Sequence, residues 1–412
     1  MNPCWVDVLV VGGGAAGMAA AAAAAREGAR TWLVERDDRL GGVLDQCIHP
    51  GFGLHRYREE LTGPEFAHRL LGELEASGAE VVPACTVLDV DPAGPTVTAV
   101  GPGGAVRIRP RAIVWAAGAR ERPFGALQIP GSRPAGIYTA GLAQRLVNVH
   151  GFLPGRRAIV LGSGDIGLIM ARRLHLEGVE VVAVLELRPF PGGLLRNVVQ
   201  CLEDFGIPLL LRHTVARVHG RDRLSGVTVV EVDDMGRPIP GTETLVEVDT
   251  LILSVGLIPE AEGIPFVPLD PVNRGPRVDS RFRTEVPWLF VAGNALAVFD
   301  LVDVVAQVGE AAGACAARHA RGELLRRRPI PLVRGENVLH LVPTALDPEA
   351  PATLYLRVPR PLAVARVEVG PGVLVRNHRG VRPAEMVAVK LPPEAMRELA
   401  RLPEVEVRVV PG

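Results

Sequence analysis

One pattern of apolar and polar positions occurs twice along the chain. A short, uninterrupted β-branched run leads into a glycine-rich turn. An apolar stretch of helical length follows, and then a second short apolar run that ends in glutamate. The first copy reads Val6 to Val11, then Gly12-Gly-Gly14-Ala-Ala-Gly17, then the alanine run Ala19 to Ala25 closing near Gly28, then Thr31 to Val34 and Glu35. The second reads Arg157 to Leu161, Gly162-Ser-Gly164-Asp-Ile-Gly167, a helical stretch to Glu177, Gly178, and Glu180 to Leu185 ending in Glu186. Apolar runs this short, without alternation, predict strands buried on both faces. Each copy therefore predicts a strand–turn–helix–strand unit with parallel strands. Elsewhere, Leu224 to Pro240 predicts two strands joined at Asp234-Met-Gly236, and a helix is expected from about Val304 to Arg321. After Arg326-Arg-Arg328 and Pro329 the chain changes to short Val/Leu runs, such as Thr353 to Val358 and Val364 to Val369, with a short helix from Pro393 to Arg401. The arginine cluster is expected to end the preceding helix and complement its dipole.

The glycine spacing gives each unit a chemical meaning. In G-x-G-x-x-G, Gly12 permits the tight turn, Gly14 lets a pyrophosphate approach the backbone, and Gly17 lets helix and strand pack closely. The helix N-terminus then faces the anion. Glu35 and Glu186 each follow their first glycine at the spacing of about twenty residues where an acid bonds ribose hydroxyls. A glycine turn alone is weak evidence. Placed between a strand and a helix, with the acid in position, it reads as a dinucleotide fingerprint. Two such units most simply hold two dinucleotides. Glu186 argues for NADH over NADPH, because a carboxylate repels a 2′-phosphate, and the nearby Arg188 weakens that argument.

Composition narrows the alternatives. The 412 residues are 48% hydrophobic and 22% charged, with a net charge of −1, so neither disorder nor an electrostatic affinity for nucleic acid is indicated. The cysteines Cys4, Cys47, Cys85, Cys201 and Cys315 are scattered, with no C-x-x-C. A disulfide framework, a zinc knuckle and a Cys-ligated cluster are not expected, and no metal site is. The N-terminal apolar run ends in a glycine loop rather than a cleavage site, and the alanine run is too short to span a bilayer. The expectation is a reducing, cytoplasmic setting without a transmembrane segment.

Across roughly residues 5 to 325 the chain resembles the two-dinucleotide flavoproteins of the pyridine nucleotide–disulfide oxidoreductase family. Ile113-Val-Trp-Ala-Ala117-Gly118-Ala looks like that family's strand and turn returning toward the FAD domain, with Ala117 in place of Thr. Leu251 to Pro259, with Gly256, looks like the corresponding turn of the NAD domain, and Trp288 to Asn294, with Gly293, like the late FAD motif with Asn294 in place of Asp. The resemblance implies FAD in the first unit, at Gly12, Gly14, Ala15, Ala16, Gly17, Glu35, Arg36, Gly42, Val87, Ala117, Gly118, Gly293, Asn294, Gln307 and Val308. It implies NAD(H) in the second, at Gly162, Gly164, Asp165, Ile166, Gly167, Glu186 and Gly256. Gln307 and Val308 would lie in the first turn of the late helix, whose positive end would stabilise a reduced flavin.

The family's redox cysteine pair has no counterpart. Gly41-Gly42-Val-Leu-Asp-Gln-Cys47-Ile-His49-Pro carries one cysteine, and Gly136 to Gln144 carries none, so disulfide reduction is not expected. Cys47 and His49 are the candidate catalytic residues, with His55 and Tyr57 of the same loop as further proton donors; the alternative is a structural loop beneath the flavin. Gly42 to Gly63, Ser132 to Leu146 and Asn294 to Asp303 are similar to a subgroup associated with glycerol-3-phosphate dehydrogenase-type enzymes. More distant likenesses are the FAD/NAD subunits of opine and hydroxyproline dehydrogenases and of hydrogen cyanide synthase.

The expected fold is α/β, with two Rossmann-like FAD/NAD-binding domains and a small C-terminal α+β domain. The FAD domain would be residues 1–125 and 280–325, the inserted NAD(P) domain 126–279, and the C-terminal domain 331–412. The expected function is hydride transfer between NAD(H) and FAD in the cleft between the domains. Electrons would be exchanged with a partner flavoprotein dehydrogenase or a small electron-transfer protein. A self-contained dehydrogenase or oxidase of a small metabolite, and a non-catalytic flavin-bound structural role, remain open. So does assembly as an oligomer.

Overall fold

The computed structural model describes residues 4–324 and 328–412. It divides into two compact units, residues 1–120 with 258–412, and residues 121–257. In the first, a central strand Cys4–Val11 is flanked by Thr31–Val34 on one side and the long strand Gly104–Trp115 on the other, all parallel. Glu80–Val82 adds to the outer edge, and Leu289–Val291 pairs in parallel with the end of the long strand. Thr86–Val90 and Val97–Gly101 complete the sheet as an antiparallel extension. Val8, Leu9, Val10, Ile113, Val114 and Phe290 have no exposed surface, as continuous apolar runs require. Because the parallel strands end together, Gly12, Glu35, Ala116 and Ala292 share the carboxyl edge of one sheet.

The alanine run has a packing reason. The helix Ala15–Arg26 lies against the helix Val302–Ala320, and a Cβ on Gly309 or Gly313 would collide with the backbone carbonyls of Ala16 and Ala20. Small residues on both helices let the backbones touch. The late helix starts two residues before its expected position, so Gln307 and Val308 lie in its second turn rather than its first, Gln307 exposed and Val308 buried. Arg318 and His319 occupy its last turn. Of the cluster Arg326-Arg-Arg328 expected to complement that end, Arg326 and Arg327 lie outside the described residues, and Arg328 is exposed and outside the helix.

The second unit carries a parallel sheet in the order Ile137–Thr139, Thr250–Leu253, Arg157–Leu161, Glu180–Glu186, Leu209–Leu211. An antiparallel sheet of His213–Gly220, Leu224–Glu231 and Thr244–Val246 follows. The turn at Asp233 to Arg237 forms as expected, but the returning chain makes only a bridge, Val232 with Pro238. Pro238 and Pro240 have no N–H to give a ladder, so the regular partner strand comes later, at Thr244–Val246.

The inserted unit ends at residue 257, not 279. The chain from Ile258 is held by the first unit: Trp115 Nε1 donates to Glu260 O at 2.7 Å, Glu260 N to Gly118 O at 2.9 Å, and Ile264 and Val267 are buried in that core. The C-terminal segment forms an α+β layer within the same unit. One sheet is ordered Ala345–Leu346, Ile330–Arg334, Val405–Pro411, Leu362–Val369, Leu374–Val381, and a second is His340–Val342, Ala352–Arg357, Val387–Leu391, with the helix Pro393–Leu399. It has its own core around Leu354, Leu356, Val367 and Val407. Arg281 joins it to the first core through Asp347, 2.7 Å away and buried, with Arg283 also facing that acid at 3.9 Å.

Candidate functional site

At the first glycine loop, two of the three fingerprint glycines are demanded by the protein itself. Gly12 has φ +102°, and a Cβ there would lie 2.5 Å from Ala116 O; a Cβ on Gly17 would overlap Gly12 O. Gly14 is different, since a Cβ there would meet nothing within 4 Å. It caps the helix Ala15–Arg26 without a side-chain bond, so the amides of the first turn, including Ala15 and Ala16, have no intrahelical acceptor and receive none from the cap side chain. Gly42, at φ +60°, borders the same opening, its notional Cβ 3.3 Å from Gly14 Cα. Glu35, at the strand end, is buried: Gly13 N–H donates to its Oε2 at 2.5 Å and Asp37 N–H to its Oε1 at 2.9 Å. Arg36 points to solvent, 4.0 Å from Asp37, and Val87 is half-buried on its strand. Ala117 and Gly118 leave the long strand at the same sheet edge, Gly118 at φ +77° with open space beside it. Gly293 packs on Ala16, and Asn294 turns its Oδ1 inward to accept the Phe299 N–H at 3.1 Å.

The second loop repeats this geometry. A Cβ on Gly162 would strike Ser254 O, and one on Gly167 would lie 2.5 Å from Gly162 O, whereas Gly164 has only Ser254 Oγ at 3.5 Å. Asp165 opens the helix Asp165–Leu176 and accepts Leu194 N–H at 2.8 Å and Asn197 Nδ2 at 2.6 Å; Ile166 beside it is half-buried. Glu186 is buried and takes three bonds, from Ser163 N–H, the Ser163 hydroxyl and Arg188 N–H. Gly256 sits at φ +99° facing open space. In each loop the middle glycine is the one that the protein's own packing does not explain. A bare backbone at a helix N-terminus, with an acid beside it, fits a pyrophosphate and its ribose.

The family model for pyridine nucleotide-disulphide oxidoreductases matches residues 6–316. The chain belongs to this family. Its members are FAD/NAD(P)-dependent oxidoreductases. The chain is 27% identical to the A component of opine oxidase from Agrobacterium tumefaciens over 77% of its own length and 66% of that protein's. It is 27% identical to the glutamate synthase [NADPH] small chain of Mycobacterium tuberculosis over 78% and 68%. It thus spans about two thirds of the length of these relatives. In fold it matches the crystal structure of T. acidophilum thioredoxin reductase, with a TM-score of 0.62 at 22% identity, covering 77% of this chain and 99% of that one. Among the described residues no helix is long and apolar enough to cross a membrane, and no cluster of metal-ligating side chains occurs.

In this family member none of the five cysteines is joined in a disulfide. Burial pushes the Cys47 thiol up to about 12, and Gly63 packs against its Cβ and carbonyl. A thiol held there is protonated at neutral pH, which removes the thiolate that reactivity needs. His49 is half-buried, with Nδ1 3.0 Å from Pro50 O and its ring 5.0 Å from Phe52; His55 is exposed. The Tyr57 hydroxyl donates to Glu73 at 2.7 Å, and burial together with that carboxylate pushes its pKa up to about 12.

Sequence reasoning missed what holds this loop. Asp303, buried in the first turn of the late helix, accepts N–H bonds from Gly53, His55 and Arg56 at 3.3, 3.2 and 2.8 Å. The Arg56 guanidinium reaches Glu73 and Glu310, each at 2.6 Å. Burial opposes its charge, but those two carboxylates hold it protonated. Burial likewise opposes the Glu73 charge, and the Arg56 and Tyr57 bonds still hold that carboxyl below its usual range. The only signal in the sequence was an acid in the first turn of the helix, which by itself reads as dipole complementation.

Proposed function

We propose that the chain is an NADH-dependent flavoprotein that passes hydride between NAD(H) and bound FAD and exchanges electrons with a partner protein. One observation carries the two-nucleotide reading: Gly14 and Gly164 lie bare beside buried Glu35 and Glu186, at the ends of two parallel sheets, with no protein contact that requires glycine. In this reading the amides around Ala15 and Ala16 hold the FAD pyrophosphate and Glu35 its ribose. Arg36, Gly42, Val87, Ala117, Gly118, Gly293, Gln307 and Val308 line the remainder. Asn294 keeps its amide nitrogen for the ribityl chain, since its oxygen is taken by Phe299. Gly162, Gly164, Asp165, Ile166, Gly167, Glu186 and Gly256 hold NAD(H), with Glu186 disfavouring a 2′-phosphate. The bound pair supplies hydride transfer between nicotinamide and flavin, a step that asks the protein mainly for orientation.

Disulfide reduction is set aside, because the chain has no paired cysteines and Cys47 is held protonated. Cys47 and His49 are read as parts of the clamped loop rather than as a nucleophile and an acid. Partner exchange is supported by the relatives' names, which describe one component of an opine oxidase and the small chain of a glutamate synthase. A glycerol-3-phosphate dehydrogenase-type flavoprotein is the partner suggested by the subgroup likeness. An anaerobic titration of the purified protein tests the reading. NADH should bleach a bound flavin spectrum stoichiometrically, and NADPH should do so at least tenfold less efficiently. Colourless protein that takes up no FAD, or a flavin that NADH leaves oxidised, would sink it.

A further inference from the structure

The two acids that end the fingerprint strands differ in what they have left to offer. An ionised carboxylate provides about four acceptor positions. Glu35 accepts one N–H on each oxygen, from Gly13 and Asp37, and keeps a position on each. At Glu186, Arg188 N–H occupies Oε1 at 3.0 Å, while Ser163 fills Oε2 twice, with its N–H at 3.1 Å and its hydroxyl at 2.5 Å. The difference traces to one residue, because the first loop has Gly13 where the second has the fully buried Ser163. Ser163 does more than fill the acid. Its Oγ accepts the Gly192 N–H at 2.7 Å, and Gly192 sits so close that a Cβ there would lie 3.3 Å from Glu186 Oε2. The turn Pro191-Gly-Gly193 is thereby tied over that oxygen.

We infer that Ser163 sets the nucleotide affinity of the second loop. Its hydroxyl holds the position on Glu186 that a ribose hydroxyl would take, and ties the Gly192 turn across it. This rests on the reading of residues 162–186 as a nucleotide loop. A ribose at Glu35 gains a hydrogen bond on each oxygen. A ribose at Glu186 gains one and exchanges the other for a bond already made. The first arrangement suits a resident cofactor, and the second a nucleotide that must leave on every turnover.

The test is equilibrium binding of NAD+ to the oxidised holoprotein by calorimetry, with adenosine-ribose 2′-deoxy- and 3′-deoxy-NAD+ as probes. In the native chain at least one deoxy analogue should bind within about twofold of NAD+. Ser163→Gly, which copies Gly13, and Ser163→Ala should each bind NAD+ about five- to tenfold more tightly, the worth of one hydrogen bond. Both deoxy analogues should then fall behind NAD+ by that factor. A native chain that prefers NAD+ to both analogues by tenfold overturns the inference whatever the variants do. So do variants that bind NAD+ no more tightly than the native chain. If no form binds NAD+ at all, the nucleotide reading of Glu186 falls first.

Discussion

Asp303 accepts the backbone N–H of Arg56 at 2.8 Å, across 247 positions of chain. With the His55 and Gly53 amides on the same carboxylate, it pins residues 53–56 to the first turn of the helix Val302–Ala320. Asp303→Ala would leave three N–H groups without their acceptor. The expected loss is about 2–3 kcal/mol of unfolding free energy by urea titration, in the range for buried bonds to a charged group. Asp303→Asn keeps one acceptor oxygen and should lose less. Equal stability of all three proteins would contradict the clamp.

Packing and cofactor binding separate by substitution within the first fingerprint. Gly17→Ala forces a methyl into Gly12 O and should give protein that fails to fold or melts far below the native chain. Gly14→Ala meets no protein atom, so it should retain less than a tenth of the native flavin yet melt together with the native chain once both are stripped of flavin. Thermal melts and flavin-to-protein absorbance ratios decide it. A Gly14→Ala protein with full flavin would remove the reason given for that glycine.

Cys47 should behave as packing. Alkylation at pH 8 should be at least a hundredfold slower than for an unhindered cysteine, because the thiolate is scarce when the pKa is about 12. Its folded pKa lies above the unfolded value near 9. The stability it contributes is therefore intact below pH 9 and is lost as pH rises toward 12, by at most about 1.4 kcal/mol per unit. Urea denaturation of the native chain and Cys47→Ser at pH 8 and pH 10.5 checks the sign: the native chain should lose more over that interval. A long-wavelength flavin band that vanishes in Cys47→Ser would instead restore a redox role.

Asp347 sits between Arg281 and Arg283 with 1% of its surface exposed. Asp347→Ala strips two buried cations of a shared partner and should destabilise by about 3–5 kcal/mol. The double variant Asp347→Leu with Arg281→Met should recover much of that, since an apolar replacement removes the unpaired charge along with its partner. Denaturant midpoints of the single and double variants provide the comparison.

What the sequence disclosed and what it hid follow one physical line. The strands and helices around residues 4–34 and 157–186 were legible because turn geometry, glycine spacing and apolar runs are local. The return at residue 258 was not, since it contains little regular structure and is held by Trp115 reaching Glu260. The Asp303 clamp, the filling of Glu186 by Ser163 and the buried position of Asp347 were hidden for the same reason, each joining residues distant in the chain. The hairpin after Glu231 differs in kind. Its turn chemistry at Asp233 is local and forms as expected, but the prolines that follow, equally local, veto the ladder.

The bare contact between the alanine helix and Gly309 and Gly313 also fixes an order of events on the ribosome. Residues 121–257 are contiguous and emerge whole, while the earlier segment still lacks the helix that its backbone must touch. During synthesis the inserted unit is therefore free to close first, and the enclosing one waits, half-made, until Gly313 has left the exit tunnel.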